Sequence, residues 1–117
     1  MEKIQYSRQG DYLLPDITVP EEKEIPRGKY AFLRRKYLQE KRYGMFITLL
    51  TQGKLNRHLI ETQEAAQRRM EQIIAEMAAG QNVTEELKAA DQMVWVGMMN
   101  NIRQTAEETV MRELIFR

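Results

Sequence analysis

The sequence predicts a mainly all-α fold, in which a helical bundle with two long antiparallel helices and a basic N-terminal helix pair follows an extended or short β-hairpin arm. Three observations predict this fold. Apolar residues recur at three- and four-residue steps over most of the chain after residue 27. All three prolines lie before residue 27, and each disfavours helix at the residue before it. The length of 117 residues fits one domain, and a 43% hydrophobic composition is enough to bury a core.

Residues 1–26 are predicted to form the extended N-terminal arm, and residues 27–117 are predicted to form the helical bundle domain. Short apolar segments flank Gln9-Gly10-Asp11, a plausible turn between two strands. A lone hairpin is marginally stable in water, so we expect the arm to pack on the bundle. A free, disordered arm is the alternative.

Helical periodicity and capping residues predict the order of the helices. The first helical stretch runs from Gly28 to Gly53, and Gly44 is expected to bend or split it. The second runs from Leu55 to about Gly80 with one continuous apolar stripe. Thr84 is expected to cap a short helix, and Asp91 is expected to cap the last one. The apolar face of the last helix consists of Trp95, Met98, Met99, Ile102, Ala106, Val110 and Leu114.

The composition argues against several functional classes. Eighteen basic and 17 acidic residues give a net charge of +1, unlike proteins that bind nucleic acid through bulk charge. The chain has no cysteine and one histidine, His58, so thiolate chemistry is absent and metal sites are nearly excluded. There is no glycine-rich phosphate loop and no Ser-His-acid set. We therefore expect no enzymatic activity, no cofactor, no metal and no small-molecule substrate.

Location and assembly are predicted only in outline. The N-terminus lacks the apolar region of a secretory signal, and no apolar run approaches the roughly 18 residues of a spanning helix. We expect the protein to lie in the bacterial cytoplasm and to make no contact with a membrane. The oligomeric state stays open.

A basic block at residues 27–42 is the clearest functional signal, with seven basic residues and one acid. On a helix, Arg27, Arg34 and Lys41 fall along one line, and tyrosines border it. Cations beside tyrosines suit phosphate contacts combined with base stacking. The alternative is that these charges pair with the acidic segment Glu21-Glu22-Lys23-Glu24 or with a partner protein. The residues predicted to contact nucleic acid or an acidic partner are Arg27, Tyr30, Arg34, Arg35, Tyr37, Lys41 and Arg42.

Residues 49–59 have a helix–glycine–helix pattern. In a DNA-reading helix-turn-helix, Asn56, Arg57 and His58 would face the base edges. Leu49 is large where the tight crossing of two such helices usually requires a small residue. An ordinary corner between two helices is therefore the favoured interpretation.

The second candidate region is residues 95–103, at the start of the last helix. Helical spacing predicts that its apolar residues lie in the core, while Asn100 and Asn101 hydrogen-bond backbone groups of the arm docked beside them. The alternative is a methionine-rich face that binds a partner, since methionine adapts to irregular surfaces and the chain has eight of them. The residues assigned to this core or partner face are Trp95, Met98, Met99, Asn100, Asn101 and Arg103.

Three segments of the chain resemble the transposon-encoded TnpV-type proteins, small accessory proteins of mobile elements. The resemblance runs from about Ile4 to Ile115. It implies a genetic setting beside a site-specific recombinase, and no catalytic or binding residues of the family can be carried over. The segments are Gly10-Asp11-Tyr12-Leu13-Leu14-Pro15-Asp16, Leu49-Leu50-Thr51-Gln52-Gly53-Lys54-Leu55-Asn56 and Trp95-Val96-Gly97-Met98-Met99-Asn100-Asn101-Ile102-Arg103.

Two functional hypotheses follow from the resemblance and the basic block. The first is a non-catalytic accessory protein of a bacterial mobile element that acts on DNA or a nucleoprotein complex during excision or transfer. The second is a protein-binding module that modulates or inhibits a nucleic-acid enzyme, either the partner recombinase or a host defence nuclease. The expected partner is accordingly DNA or a DNA-processing enzyme complex.

Overall fold

The structure is a computed structural model that describes the backbone of two N-terminal segments and all residues from 22 to 117. The two segments form antiparallel strands, β1 (Tyr6–Gln9) and β2 (Tyr12–Pro15), with Tyr6 opposite Pro15. The other residues before 22 lie outside the described residues, and so does any contact of the strands with the helices. The form of the arm and its packing on the bundle therefore stay predictions.

The chain from residue 22 onward is mainly helical, and the predicted fold class is confirmed in this respect. Helix α3 contacts both α1 and α5, and a terminal π-helical turn contacts α1 and α3. The long helices α3 and α5 are antiparallel, because α5 follows the end of α3 while Ile115, beyond the end of α5, shares the Arg34 side chain with His58 near the start of α3. The elements are α1 (Lys29–Lys41), α2 (Tyr43–Thr51), α3 (Leu55–Gly80), α4 (Glu85–Ala90), α5 (Gln92–Val110) and the π-helical turn (Met111–Ile115).

The first helical stretch is split, as predicted, but the break lies at Arg42 and not at Gly44. Arg42 has φ −134° and ψ 51°, which ends α1 and begins α2. Gly44 lies in the first turn of α2. A change of direction at Arg42 agrees with the complete burial of Phe46 on α2 beside Leu38 on α1.

Two clusters of buried side chains hold the helices together. The first joins α1 and α2 to the N-terminal half of α3, and the second joins the rest of α3 to α5. Burying one large apolar side chain contributes roughly 1.5–3 kcal/mol to folding, so these clusters supply much of the stability. The predicted apolar faces of the two long helices are confirmed at Leu55, Leu59, Ala66, Ile73, Ile102, Ala106 and Val110.

The two C-terminal helices begin with the caps that the sequence predicts. The Thr84 hydroxyl accepts a hydrogen bond from the backbone N–H of Leu87 at 3.2 Å. The Asp91 carboxylate accepts one from the backbone N–H of Val94, also at 3.2 Å. Such side chains satisfy N–H groups that have no partner inside the helix, and both predictions are confirmed.

Helices α1 and α3 begin without a local side-chain cap, and distant residues take that role. The side-chain oxygen of Gln63, on α3, accepts a hydrogen bond from the backbone N–H of Ala31 at 2.9 Å. The Glu22 carboxylate accepts one from the backbone N–H of Asn56 at 2.6 Å. The start of each of these helices therefore depends on tertiary contacts.

Candidate functional site

The basic block does not form a single exposed stripe, because Arg34 lies inside the protein. Its side chain is only 5% exposed. Its Nη1 donates hydrogen bonds to the main-chain oxygens of Ile115 and Arg117, both at 2.9 Å. A side chain held in this way replaces the hydrogen bonds missing at the end of a helical segment. The expectation that Arg34 faces outward beside Arg27 and Lys41 is therefore wrong.

Arg34 also binds the only histidine of the chain. Its Nε donates a hydrogen bond to Nε2 of His58 at 3.3 Å, so Nε2 acts as the acceptor and the neutral ring carries its proton on Nδ1. Burial lowers the pKa of His58 below its ordinary value of 6.5, and the charge of Arg34 lowers it further. This contact joins α1 to α3. The sequence contains no signal for it, since the two residues are 24 positions apart and neither belongs to a motif.

The two tyrosines of the basic block are half-buried. Tyr30 packs against the cluster between α3 and α5, and burial raises its pKa above 10.0. The Tyr37 ring lies with its centroid 5.5 Å from that of Phe116 and 5.9 Å from the guanidinium of Arg34. Both tyrosines therefore contribute to the packing of the bundle, and base stacking on them stays a prediction.

Five cations of the block are exposed, and four of these form no ion pair within residues 22–117. Lys29 is engaged instead with Glu107 of α5, and the half-buried Arg35 places its guanidinium 6.0 Å from the Phe46 ring. The four exposed cations without an ion pair are Arg27, Lys36, Lys41 and Arg42.

The acidic segment before α1 pairs with α3 and not with the basic block, as far as it is described. Glu24 pairs with Arg57 at 3.1 Å, and its main-chain oxygen accepts a hydrogen bond from the Asn56 side chain at 2.9 Å. Glu22 caps the same helix at Asn56. For these two acids, the alternative that they neutralise the basic block is wrong. Glu21 lies outside the described residues.

The corner between α2 and α3 is an ordinary helical corner. Gly53 turns the chain with φ 69°, a left-handed conformation that favours glycine. The three residues that a helix-turn-helix would direct at bases are engaged within the protein: Asn56 with Glu22 and Glu24, Arg57 with Glu24 and Glu61, and His58 with Arg34.

The region at residues 95–103 lies at the edge of the bundle. Trp95, Met98 and Met99 are half-buried, which corrects the expectation that they belong to the core. The Lys88 ammonium lies 4.6 Å from the centre of the Trp95 ring. The other three predicted residues, Asn100, Asn101 and Arg103, are exposed. Any contact of the two asparagines with residues before 22 lies outside what the structure describes.

The start of α5 carries exposed apolar side chains that the sequence analysis missed. Met93, Val94 and Val96 are 82%, 45% and 38% exposed, and we call these three residues the α5 apolar patch. All residues from 92 to 102 are uncharged, in a chain of which 30% is charged. This absence of charge is the signal that could have identified the patch.

None of the helices among the described residues is both long enough and apolar enough to cross a membrane. Within the same part of the chain, no three His, Cys, Asp or Glu side chains come together in a way that could hold a metal ion.

The comparisons with known proteins identify one family. The sequence model of the family described as "Transposon-encoded protein TnpV" matches residues 5–115. Neither a curated protein nor a solved structure matches the chain significantly. The family match covers nearly the whole chain and agrees with the resemblance noted in its three segments. The chain therefore belongs to the TnpV family of transposon-encoded proteins.

Proposed function

We propose that this protein is a non-catalytic accessory factor of a bacterial mobile element and that it acts on DNA or on a nucleoprotein complex during excision or transfer. The single observation that carries the proposal is the set of exposed cations around α1, namely Arg27, Lys36, Lys41 and Arg42, which have no acidic partner within residues 22–117. A cation without an ion pair binds a phosphate at little cost in free energy, because no existing ion pair has to be broken first. Membership in a transposon-encoded family agrees with this role.

The proposal includes the cellular setting. The protein would work in the bacterial cytoplasm, where the DNA of the element resides. It would use no cofactor and catalyse no reaction of its own. Its affinity for DNA would come mainly from phosphate contacts, which carry little sequence information.

A salt titration tests the proposal. Binding to duplex DNA from the ends of the element should weaken as salt rises, and each phosphate contact contributes about −0.9 to the log–log slope. Changing Lys36, Lys41 and Arg42 to Ala should make the slope shallower by about 2 to 3. The matched control removes three exposed arginines outside the basic block, Arg68, Arg103 and Arg112.

The control should retain the wild-type slope. The proposal is contradicted if the protein fails to bind element-end DNA at low salt, or if both triple variants lose affinity equally. Arg34 is left unchanged in this experiment, because its removal would disturb the bundle.

A second candidate function rests on the α5 apolar patch. We propose as the alternative that this uncharged surface binds a nucleic-acid enzyme, either the recombinase of the element or a host defence nuclease, and modulates or inhibits it. Exposed contiguous apolar surface is typical of protein interfaces, and methionine adapts well to a partner.

Co-purification separates the two functions. A complex with the recombinase that survives nuclease treatment and is lost in a Met93→Glu, Val96→Glu variant would support the second function. Loss of the complex on nuclease treatment alone would support the first. The control for the double variant is Gln104→Glu, Gln92→Glu, which adds two acids at exposed positions of the same helix.

A further inference from the structure

A basic pocket lies where α1 meets α2. Its volume is about 620 Å³, which is the size of a small-ligand site. Four of its seven lining residues are cations, and none is an acid. Arg117 comes from the far end of the sequence, so only the folded chain assembles this cluster. The lining residues of this junction pocket are Arg34, Lys41, Arg42, Tyr43, Gly44, Met45 and Arg117.

The first turn of α2 adds backbone donors to these cations. The first backbone hydrogen bond of this helix runs from the N–H of Phe46 to the main-chain oxygen of Arg42 at 2.9 Å. The N–H groups of Gly44 and Met45, which line the pocket just before Phe46, therefore have no acceptor inside the helix. Arg42 provides no side-chain cap, and Gly44 has open space where a side chain would stand. An anion in the pocket would complete this helix start.

The Arg34 guanidinium lines the pocket and is held in place by hydrogen bonds. The side chain is only 5% exposed. Its Nε donates to His58, and its Nη1 donates to the main-chain oxygens of Ile115 and Arg117. Its second terminal nitrogen, Nη2, has no hydrogen-bond partner among residues 22–117. A guanidinium that is fixed in place loses little entropy when it binds a ligand.

The cations of the pocket repel one another. Burial lowers the pKa of Arg34, and the charges of Arg117 and Arg42 lower it further. No acidic side chain lines the pocket to offset this repulsion. A bound anion of charge −2 would offset it, and phosphate oxygens accept the planar N–H pairs of arginine well.

We propose that the junction pocket is a binding site for one phosphoryl group, held by Arg34, Arg42, Lys41 and the N–H groups of Gly44 and Met45. The phosphoryl group comes either from the 5′ end of a nucleic-acid strand or from free phosphate, since the chemistry is the same. The proposal goes beyond the function proposed above, which requires only contacts between surface cations and duplex DNA. It also gives a role to Arg117, which lies far from the basic block in sequence.

Amide NMR spectra of the full chain test the site. Titration with inorganic phosphate at constant ionic strength should shift the amide signals of Gly44 and Met45 in a saturable way, and chloride should not. Arg42→Ala should weaken binding roughly 10-fold or more, as expected for a charge-assisted hydrogen bond. Lys41→Gln is a second variant that keeps the break between α1 and α2 intact.

The matched control is Lys36→Ala, which removes an exposed cation of α1 that does not line the pocket. It should leave phosphate affinity within about 2-fold of wild type, in line with a surface charge that makes no direct contact. The proposal is overturned if phosphate causes no saturable shift at Gly44. It is equally overturned if Lys36→Ala weakens binding as much as Arg42→Ala does.

A pair of oligonucleotides identifies the source of the phosphoryl group. If the source is a strand end, a single strand with a 5′-phosphate should bind at least 10-fold tighter than the same strand without it, and inorganic phosphate should compete. Equal binding of the two strands, together with saturable phosphate binding, assigns the pocket to free phosphate. Neither result depends on duplex affinity, so failure of this site and failure of the proposed function are distinguishable.

Discussion

The guanidinium of Arg34 donates a hydrogen bond to Nε2 of His58 across 3.3 Å, and the same guanidinium binds the main-chain oxygens of Ile115 and Arg117. One buried side chain of α1 therefore connects α3 with the C-terminal end of the chain. Because a buried polar group is costly when it loses its partners, these contacts form a network in which each member depends on the others.

Removing the Arg34 side chain should destabilise the bundle. Arg34→Met keeps the aliphatic volume but leaves His58 and two main-chain oxygens without a donor. We expect a loss of about 2–3 kcal/mol in the free energy of unfolding, as for other broken buried networks. Urea unfolding followed by circular dichroism measures it. Lys36→Met, an exposed change on the same helix, should cost less than about 0.5 kcal/mol. Equal stability of the two variants would contradict the role given to Arg34.

Stability should fall as the pH drops below 6.5. The folded pKa of His58 lies below 6.5, because of burial first and Arg34 second, so the unfolded chain binds the proton more readily than the folded one. The contribution of neutral His58 is fully present above pH 6.5 and is lost as the pH falls through the folded pKa. Urea unfolding midpoints measured at pH 7.5 and 5.5 test this prediction, and the midpoint should be lower at pH 5.5.

A second measurement assigns that pH dependence to His58. It is the only histidine of the chain, so its ring signals in NMR report a single titration. His58→Gln keeps a side-chain acceptor for Arg34 but cannot titrate, and it should reduce the difference between the two midpoints. An unreduced difference would contradict the assignment of the pH dependence to His58.

Gly28→Ala should be destabilising. Gly28 has φ 114°, and an added Cβ would overlap the side chain of Gln63, which caps α1 through Ala31. Strain and loss of the cap together should cost about 1–3 kcal/mol. Gly97→Ala makes the same chemical change inside α5, where nothing lies near the added atom, and should stabilise by about 0.5–1 kcal/mol. The melting temperatures of both variants test this prediction. An unchanged melting temperature for Gly28→Ala would show that α1 begins differently.

Glu22 should stabilise the start of α3. Glu22→Ala removes the acceptor for the backbone N–H of Asn56 and should cost about 1 kcal/mol, the usual value of an N-terminal cap. The control is Glu64→Ala, which removes an exposed acid from the surface of α3. Hydrogen exchange at Asn56 should speed up in the first variant only. Unchanged exchange there would mean that the segment before α1 is not anchored at α3.

The local features of this chain were predictable from its sequence. Periodic apolar residues predicted the long helices, since Ala66 and Ile73 must face Ala106 and Val110 for either helix to bury its stripe. The caps at Thr84 and Asp91 were predictable because the capping residue lies three positions before the N–H that it binds. The family was recognisable for the same reason, because its three segments are continuous in sequence.

Tertiary structure alone decided which side chains of the basic block face the solvent. Arg34 and Lys41 occupy nearly the same angle on α1, yet Arg34 meets the C-terminal residues while Lys41 lies at the exposed end of the helix. Helical periodicity gives the direction of a side chain, but it does not show which other part of the chain packs against that side chain. The break at Arg42, the distant caps and the junction pocket depend on contacts between residues far apart in sequence, whose energies no local pattern encodes.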